Sequence, residues 1–390
     1  MAQIQAPLPP ERLRGWLEGR AEDFAGALAE LVRLESPSGD PEAIGRCGDL
    51  VAELAARWIP AIEVSRPATG GVPALTLALG GGPGPEVLLL CHLDTVWGVG
   101  AFPGGLRQGG GRMSGPGVFD MKGGVVVGLA ALAAVADLGG SPVRIRLLCT
   151  GDEEVGSAAS RPLIEELAGS SRAVLVLEPP AGGAVKVGRK GVGTYRIRVR
   201  GRAAHAGLEP ELGVNALVEL ARMVDEVAAC SDSDLGTTVT PTVLRSGGRV
   251  NVVPDSAELQ VDVRFASARE AARVDQRLRQ LAPRHPEATL EVEGGANRPP
   301  LEPSASAALY ELALEAAAWL GLPPLRKATV GGGSDGNFTA ALGIPTLDGL
   351  GIVGGGAHAP GEWADLRSIP ERAALLAGCL WQLGSPEVRV

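Results

Sequence analysis

The sequence predicts an α/β protein in two parts: a mainly parallel sheet with helices on both faces, and a smaller α+β domain inserted into it. Three observations carry that expectation. Largely apolar runs at 74–79 (ALTLAL), 86–91 (EVLLLC), 144–149 (RIRLLC) and 173–178 (AVLVLE) suit strands buried on both faces. Helical sequence alternates with them, including the almost wholly apolar Gly123 to Leu138, and that alternation signals a parallel sheet. Near residue 190 the texture changes. In TYRIRVRG (194–201), Tyr195, Ile197 and Val199 share one face and arginines the other, as in a sheet with one solvated side.

Taken in order, residues 11–60 read as two helices separated by the turn SPSGDPE, with Ser36 or Ser38 capping the second. A helix at 160–168 joins the third and fourth apolar strands. Beyond the strand at 194–201 come a helix at 213–229, strands at 237–245 and 256–265, a helix at 268–282 and a strand at 288–293. The order β-α-β-β-α-β suits a ferredoxin-like domain of four strands and two helices. EGGANRPPLEP (293–303) reads as the linker back. A helix at 304–320, the loop GGGSDGN (331–337), a short strand near Ile344 to Leu347 and a helix at 368–383 then resume the first texture. The expected domains are therefore a discontinuous 1–189 with 298–390, and an inserted 190–297.

Composition narrows the function. The 390 residues carry a formal net charge of −9, with 45% hydrophobic and 21% charged residues, which argues for a globular chain and against nucleic acid as a partner. Gly and charged residues interrupt every apolar run, so no membrane partner is expected. The N-terminal twenty residues lack the apolar segment of a signal peptide. Five scattered cysteines without CxxC spacing fit free thiols in a cytoplasm.

Chemistry gathers at the strand ends. EVLLLC runs into His92 and Asp94, RIRLLC into Asp152, Glu153 and Glu154, and AVLVL into Glu178. Asp120 precedes the apolar helix, and His358 follows the last short strand. The carboxyl ends of parallel strands are where open α/β sheets place their sites. Taken alone, the acids at 152–154 also fit a solvated loop leading to a helix cap, and His92 a satisfied core histidine. Several acids converging on one edge need a cation. Asp94 is spaced to hold the second ring nitrogen of His92, as a carboxylate does behind a metal-binding histidine. HExxH, HxxEH and zinc-ribbon spacings do not occur.

The blocks HLDTV, SGPGVFDMKGG, GDEEVGS, VLEPP, GRAAHAG, NVVPDSAELQVDVRF and GGAHAPGEW together resemble the co-catalytic dizinc peptidase and deacylase family. It includes bacterial glutamate carboxypeptidase, acetylornithine deacetylase, succinyl-diaminopimelate desuccinylase and aminoacylase, and the resemblance runs from about residue 30 to the C-terminus. It implies two Zn²⁺ per chain, with Co²⁺ or Mn²⁺ as alternatives. Asp120 would bridge them, His92 and Glu178 completing one site and Glu154 and His358 the other. Three carboxylates and a metal-bridging hydroxide would balance the four positive charges. Asp94 would orient His92, and Glu153 would be the general base. Asp152 would close the loop, and Lys122 would support the site or sit at the surface.

The resemblance also makes 190–297 a lid used for homodimerisation, with His205 reaching across to stabilise the oxyanion. The alternative for His205 is a turn histidine on an exposed loop. Arg264 and Asn251 would grip the free carboxylate of a small-molecule or short peptide substrate. Arg264 shares the polar strand face with Gln260 and Asp262, so a solvated cation is its alternative. GGGSDGN departs from the family's Thr-Asp-Ala form, and suits either backbone contact with substrate or a mobile loop. HAGLEPELGVNALVEL and the segments around GGGSDGN and GGAHAPGEW look closest to the glutamate carboxypeptidase branch. The implied activity is cleavage of the amide to a C-terminal amino acid. An N-acyl-amino-acid deacylase is the alternative on the same site, and a non-catalytic binding protein is the rival from another class.

Overall fold

The computed structural model describes residues 8–80, 86–141, 143–384 and 388; residues 1–7, 81–85, 142, 385–387 and 389–390 of the expected first domain lie outside them. The chain divides into two compact units, Met1–Gly188 with Pro303–Val330 and Ser334–Val390, and Arg189–Glu302 with Gly331–Gly333.

In the first unit the N-terminal region holds three helices, α1 (Pro10–Glu18), α2 (Ala21–Arg33) and α3 (Pro41–Trp58), where the sequence reading had two. The extra break falls at Gly19, whose N–H closes on the Gly15 carbonyl, letting Leu13 and Leu17 bury fully. The cap of α3 is Asp40, which accepts from the Ala43 N–H at 3.0 Å. Ser36 and Ser38 do other work: their hydroxyls donate to the Leu93 carbonyl and to Asp94.

The main sheet is built from β1 (Glu63–Ser65), β2 (Leu75–Leu79), β3 (Glu86–His92), β6 (Ile145–Thr150), β7 (Ser171–Val176) and β14 (Thr346–Leu347), in the order β1-β2-β6-β3-β7-β14. The four strands from β6 to β14 are parallel, and β1 and β2 form an antiparallel edge. Alternate residues of β3 enter different cores. Leu89 packs in the large cluster that includes α4 (Gly123–Leu138), whereas Leu88 and Leu90 pack with Ile164 of α5 (Arg161–Gly169) and Phe338.

Val118–Leu138 is apolar and long enough by composition to span a bilayer, which corrects the expectation that no such stretch occurs. It is 94% buried: α4 packs against β3, the three N-terminal helices and the last helix, so the core accounts for its apolarity. Its closest approach is to the sheet, where a Cβ on Gly124 would stand 2.0 Å from the Leu177 carbonyl. Two short antiparallel strands, β4 (Arg107–Gly109) and β5 (Arg112–Ser114), precede α4. They form a small sheet with β15 (Gly354–Gly355) and β16 (Trp363–Asp365).

The second unit runs β9 (Gly191–Arg200), α6 (Ala216–Ala228), β10 (Thr238–Ser246), β11 (Ser256–Phe265), α7 (Ala268–Arg279) and β12 (Thr289–Arg298). Its sheet is antiparallel in the order β10-β11-β9-β12. Tyr195, Ile197, Val199 and their neighbours on β11 form a core with Leu220, Met223, Val274 and Leu278 of the two helices. The opposite face carries an ion-pair ladder of Arg196 and Arg198 with Glu258, Glu291 and Glu293. The expected linker at 293–303 is largely strand, because Gly294 and Gly295 pair with Tyr195 and Thr194. Gly294 needs its glycine there: φ is +98°, and a Cβ would stand 2.1 Å from the Thr194 carbonyl. One of the glycines that suggested a linker is thus demanded by a close strand contact.

The first unit is completed by α8 (Pro303–Trp319), the two-stranded pair β8 (Val185–Arg189) with β13 (Lys327–Val330), α9 (Gly336–Ala341) and α10 (Ser368–Leu383).

Candidate active site

The ends of β3, β6 and β7 bring His92, the 152–154 acids and Glu178 to one edge of the sheet. His92 is buried, and its Nε2 lies 3.4 Å from Asp120 Oδ1 and 3.4 Å from Glu178 Oε1. His358 Nε2 lies 3.3 Å from Asp120 Oδ2 and 3.0 Å from Glu154 Oε2. Asp120 therefore faces both histidines, one through each oxygen. His92, Asp120 and Glu154 offer ligand atoms within 4.8 Å of one another, as do His92, Glu153 and Glu178. His358 adopts a left-handed backbone (φ 60°), uncommon for a non-glycine residue and typical of strained functional positions. The Asp120–Met121 peptide is cis.

Asp94 does more than was expected of it. Its carbonyl is the nearer partner of His92 Nδ1, at 3.0 Å, with the carboxylate at 3.4 Å. The carboxylate accepts the Glu153 and Glu154 N–H groups, both at 3.2 Å, and the Ser38 hydroxyl at 2.7 Å. One buried acid thus ties the β3 end to the loop carrying both glutamates. Burial would raise its carboxyl, but His92 and Ser38 hold it below the usual range. Asp152 closes the same loop, accepting from the Ala159 and Ser160 N–H groups and the Ser160 hydroxyl.

The electrostatics favour a cation. Burial pushes the His92 imidazole down, yet Asp120, Asp94 and Glu178 outweigh it and raise it well above its ordinary value. Asp120 and Glu154 raise His358 to about 10. Burial raises Glu154 despite its contact with His358. Two buried atoms, His92 Nε2 and Asp120 Oδ1, have no hydrogen-bond partner among the described residues. Orphaned polar atoms aimed into a set of imidazole and carboxylate donors fit a divalent metal of the zinc type.

Three contributors were not legible in the sequence. Lys186 on β8 places Nζ 3.6 Å from Glu178 Oε2. Buried Asp335 accepts from Thr150, at the end of β6, and from Ser157, bracketing the GDEE loop. With Ser334 donating to Asp348 at 2.6 Å and the Ser334 N–H donating to Asn337, the 334–337 segment is a buried polar network, so a mobile loop is excluded there. Glu362 accepts four N–H groups around Asp120; its position four residues after His358 in one Gly-rich loop was the available signal. Lys122 is fully buried and donates to the Leu34 carbonyl at 2.8 Å, so it supports the loop from behind.

His205, Asn251 and Arg264 belong to the second unit. His205 is exposed, and its Nδ1 accepts the Gly207 and Leu208 N–H groups at 3.1 Å. Asn251 lies beside it: the Ala206 N–H donates to its carbonyl, and His205 bridges Val252. Arg264 makes a bidentate pair with Asp262 at 2.9 Å on the polar strand face.

A sheet edge built this way defines a class, the metal-dependent hydrolases, and the sequence relationships narrow it. The profile of Peptidase family M20/M25/M40 matches residues 88–382, and the chain belongs to that family. It is 33% identical over 380 residues to carboxypeptidase G2 of Pseudomonas sp. (strain RS-16), covering 92% of this chain and 88% of that one. It is 30% identical to a succinyl-diaminopimelate desuccinylase of Rhodospirillum centenum, covering 80% and 85%. Among solved structures, an aminopeptidase of Bacillus cereus shares the fold with a TM-score of 0.76 at 20% identity, covering 94% of this chain and 99% of that one. An M20 family metallo-carboxypeptidase of Sulfolobus solfataricus does so at 0.69 and 18%, covering 93% and 99%.

Proposed function

We propose that the chain is a two-metal amidohydrolase that releases a C-terminal amino acid, with zinc at both positions. The observation that carries this reading is the pair of orphaned buried atoms, His92 Nε2 and Asp120 Oδ1, among carboxylates that raise both histidines. Asp120 is the shared ligand, with His92 and Glu178 at one position and Glu154 and His358 at the other. When bound, two such ions polarise an amide carbonyl and lower the pKa of water from about 15.7 towards 7.

The protein's own groups do the rest. Asp94 holds His92 and the 153–154 backbone. Glu153, whose carboxylate lies within 4.8 Å of ligand atoms of His92 and Glu178, takes the proton of the attacking water and delivers it to the leaving nitrogen. His205 donates to the oxyanion from a second chain, and Arg264 and Asn251 bind the substrate carboxylate. Arg264 would exchange its Asp262 partner for that carboxylate. A homodimer through the second unit is supported by apolar side chains exposed there, among them Leu212, Leu217, Val218, Leu244 and Val250. Five buried free cysteines support a reducing, cytoplasmic setting.

The similarity to a carboxypeptidase favours the amide to a C-terminal amino acid; the desuccinylase relatives support an N-acyl-amino-acid deacylase as the second reading. A panel of dipeptides, folyl-glutamate and N-acyl amino acids, with products identified by mass spectrometry, tests it. The reading predicts release of a free amino acid that stops on chelation and resumes with zinc. Turnover indifferent to chelation, or none on any amide, would overturn it.

A further inference from the structure

We infer that Glu362 is the positioning residue for Asp120, holding the loop that carries the shared ligand; this rests on the two-metal reading above. Glu362 is 1% exposed although ionisable, and nothing in the proposed chemistry uses it. Its oxygens are fully committed. Oε1 accepts the Phe119 N–H at 2.9 Å and the Asp120 N–H at 3.0 Å, while Oε2 accepts the Gly117 N–H and Trp97 Nε1–H, both at 3.2 Å. With two donors on each oxygen, the carboxylate has no capacity left for a metal.

The loop needs this support because it cannot satisfy itself. Gly117 is left-handed (φ 70°) and Asp120 is non-helical (φ −116°, ψ 95°), so the N–H groups of this turn have no continuous ladder to join. A buried N–H left without an acceptor is destabilising. Glu362 takes three of these N–H groups at once, and the peptide it grips is the one that aims the Asp120 side chain. The anchor is itself rigid. Trp363 pairs with Ser114 across β16 and β5, and the Ser114 hydroxyl donates to the Glu362 carbonyl at 2.7 Å. The second face of the carboxylate reaches Trp97, which follows the strand end bearing His92 and packs edge-on against Phe102. One acid therefore links the His92 segment, the Asp120 turn and the His358 loop, and its role is to keep three ligand-bearing segments in register.

Glu362→Gln is a near-isosteric test. Whichever oxygen becomes the amide nitrogen, two of the four donors then face a donor, while the main-chain anchor at Ser114 remains. Trp97→Phe removes one donor and keeps the ring packing. Each chain is stripped of metal and titrated with Zn²⁺ against a chromophoric chelator. Co²⁺ spectra, melting of the metal-free chain, and kcat and KM at saturating zinc are then recorded. The expected result for Glu362→Gln is a 10–100-fold weaker zinc affinity, a changed cobalt spectrum, and a lower kcat with KM held within about twofold. Melting of the metal-free chain should fall, because two buried N–H groups lose their acceptor, and the cobalt spectrum and the kcat–KM split separate positioning from that loss of stability. Trp97→Phe should move zinc affinity the same way by a few-fold, and it decides alone if Glu362→Gln does not fold. Zinc affinity within about twofold of the parent and an unchanged cobalt spectrum would overturn the inference while leaving the metal reading intact. A parent chain that binds no zinc sinks both.

Discussion

Strands β3 and β9 are both interior strands of their sheets, yet they meet solvent in opposite ways. Every residue of β3 is buried, Leu88 on one face and Leu89 on the other, whereas β9 buries Tyr195, Ile197 and Val199 and turns its arginines outward. A strand covered on both faces can offer chemistry only at its end, and there His92 stands, with Glu178 and the 152–154 acids beyond β7 and β6. A strand with an open face can offer chemistry along its length, as Arg264 and Asp262 do on β11. The same geometry explains why the acids beyond the buried strands cluster, whereas those on the open sheet face of the second unit pair with arginine.

The sharpest break of that contrast is at the glutamate pair beyond β6. Glu153→Gln should retain metal and substrate affinity and lose ~10²–10⁴ in kcat, because only proton transfer is removed. Steady-state kinetics with metal analysis checks it; near-parental turnover means another group is the base.

Next in size are the strands themselves. Leu88→Ala and Leu89→Ala, on opposite faces, should each cost about 2–5 kcal/mol. In β9 the adjacent pair should split: Ile197→Ala costs a similar amount, whereas Arg198→Ala, removing solvent-screened ion pairs on the open face, costs far less. Denaturant unfolding measures all four, and equal costs at Ile197 and Arg198 would contradict the one-sided reading.

The smallest effect is in acid. Arg273 holds Glu270 below the usual carboxylate range, and Arg279 does the same for Asp275. Both folded carboxyls are depressed, so their stabilisation is present above the unfolded values of about 4 and is lost as pH falls through the folded ones. Hydrogen exchange should show β9 and β12 loosening below about pH 4, by about 1 kcal/mol or less per pair.

What the sequence made legible follows the same division. Largely apolar runs gave β3, β6, β7 and α4, and their ends gave five of the residues that meet at the sheet edge, because that geometry needs only local pattern and parallel topology. The misses are contacts between distant segments. Gly294 and Gly295 looked like a linker because nothing local records their pairing with β9 or the Thr194 carbonyl that Gly294 packs against. Asp335, Lys186 and Glu362 reach the site from loops or strands far along the chain, and their donors and acceptors are mostly main-chain groups or small hydroxyls that carry no signal of their own; only Glu362 had one, its place in the His358 loop. Ser38 read as a helix cap because its spacing allowed it; only the fold brings Asp94 within 2.7 Å.

The central claim is that the sheet edge holds two metals, with Glu154 a ligand and Glu153 not. Elemental analysis of the purified parent chain, Glu153→Gln and Glu154→Gln tests it most directly. The account predicts close to two zinc per chain in the parent and in Glu153→Gln, and a clear deficit in Glu154→Gln. One ion or none in a fully active parent, or a deficit in Glu153→Gln equal to that of its neighbour, would contradict it.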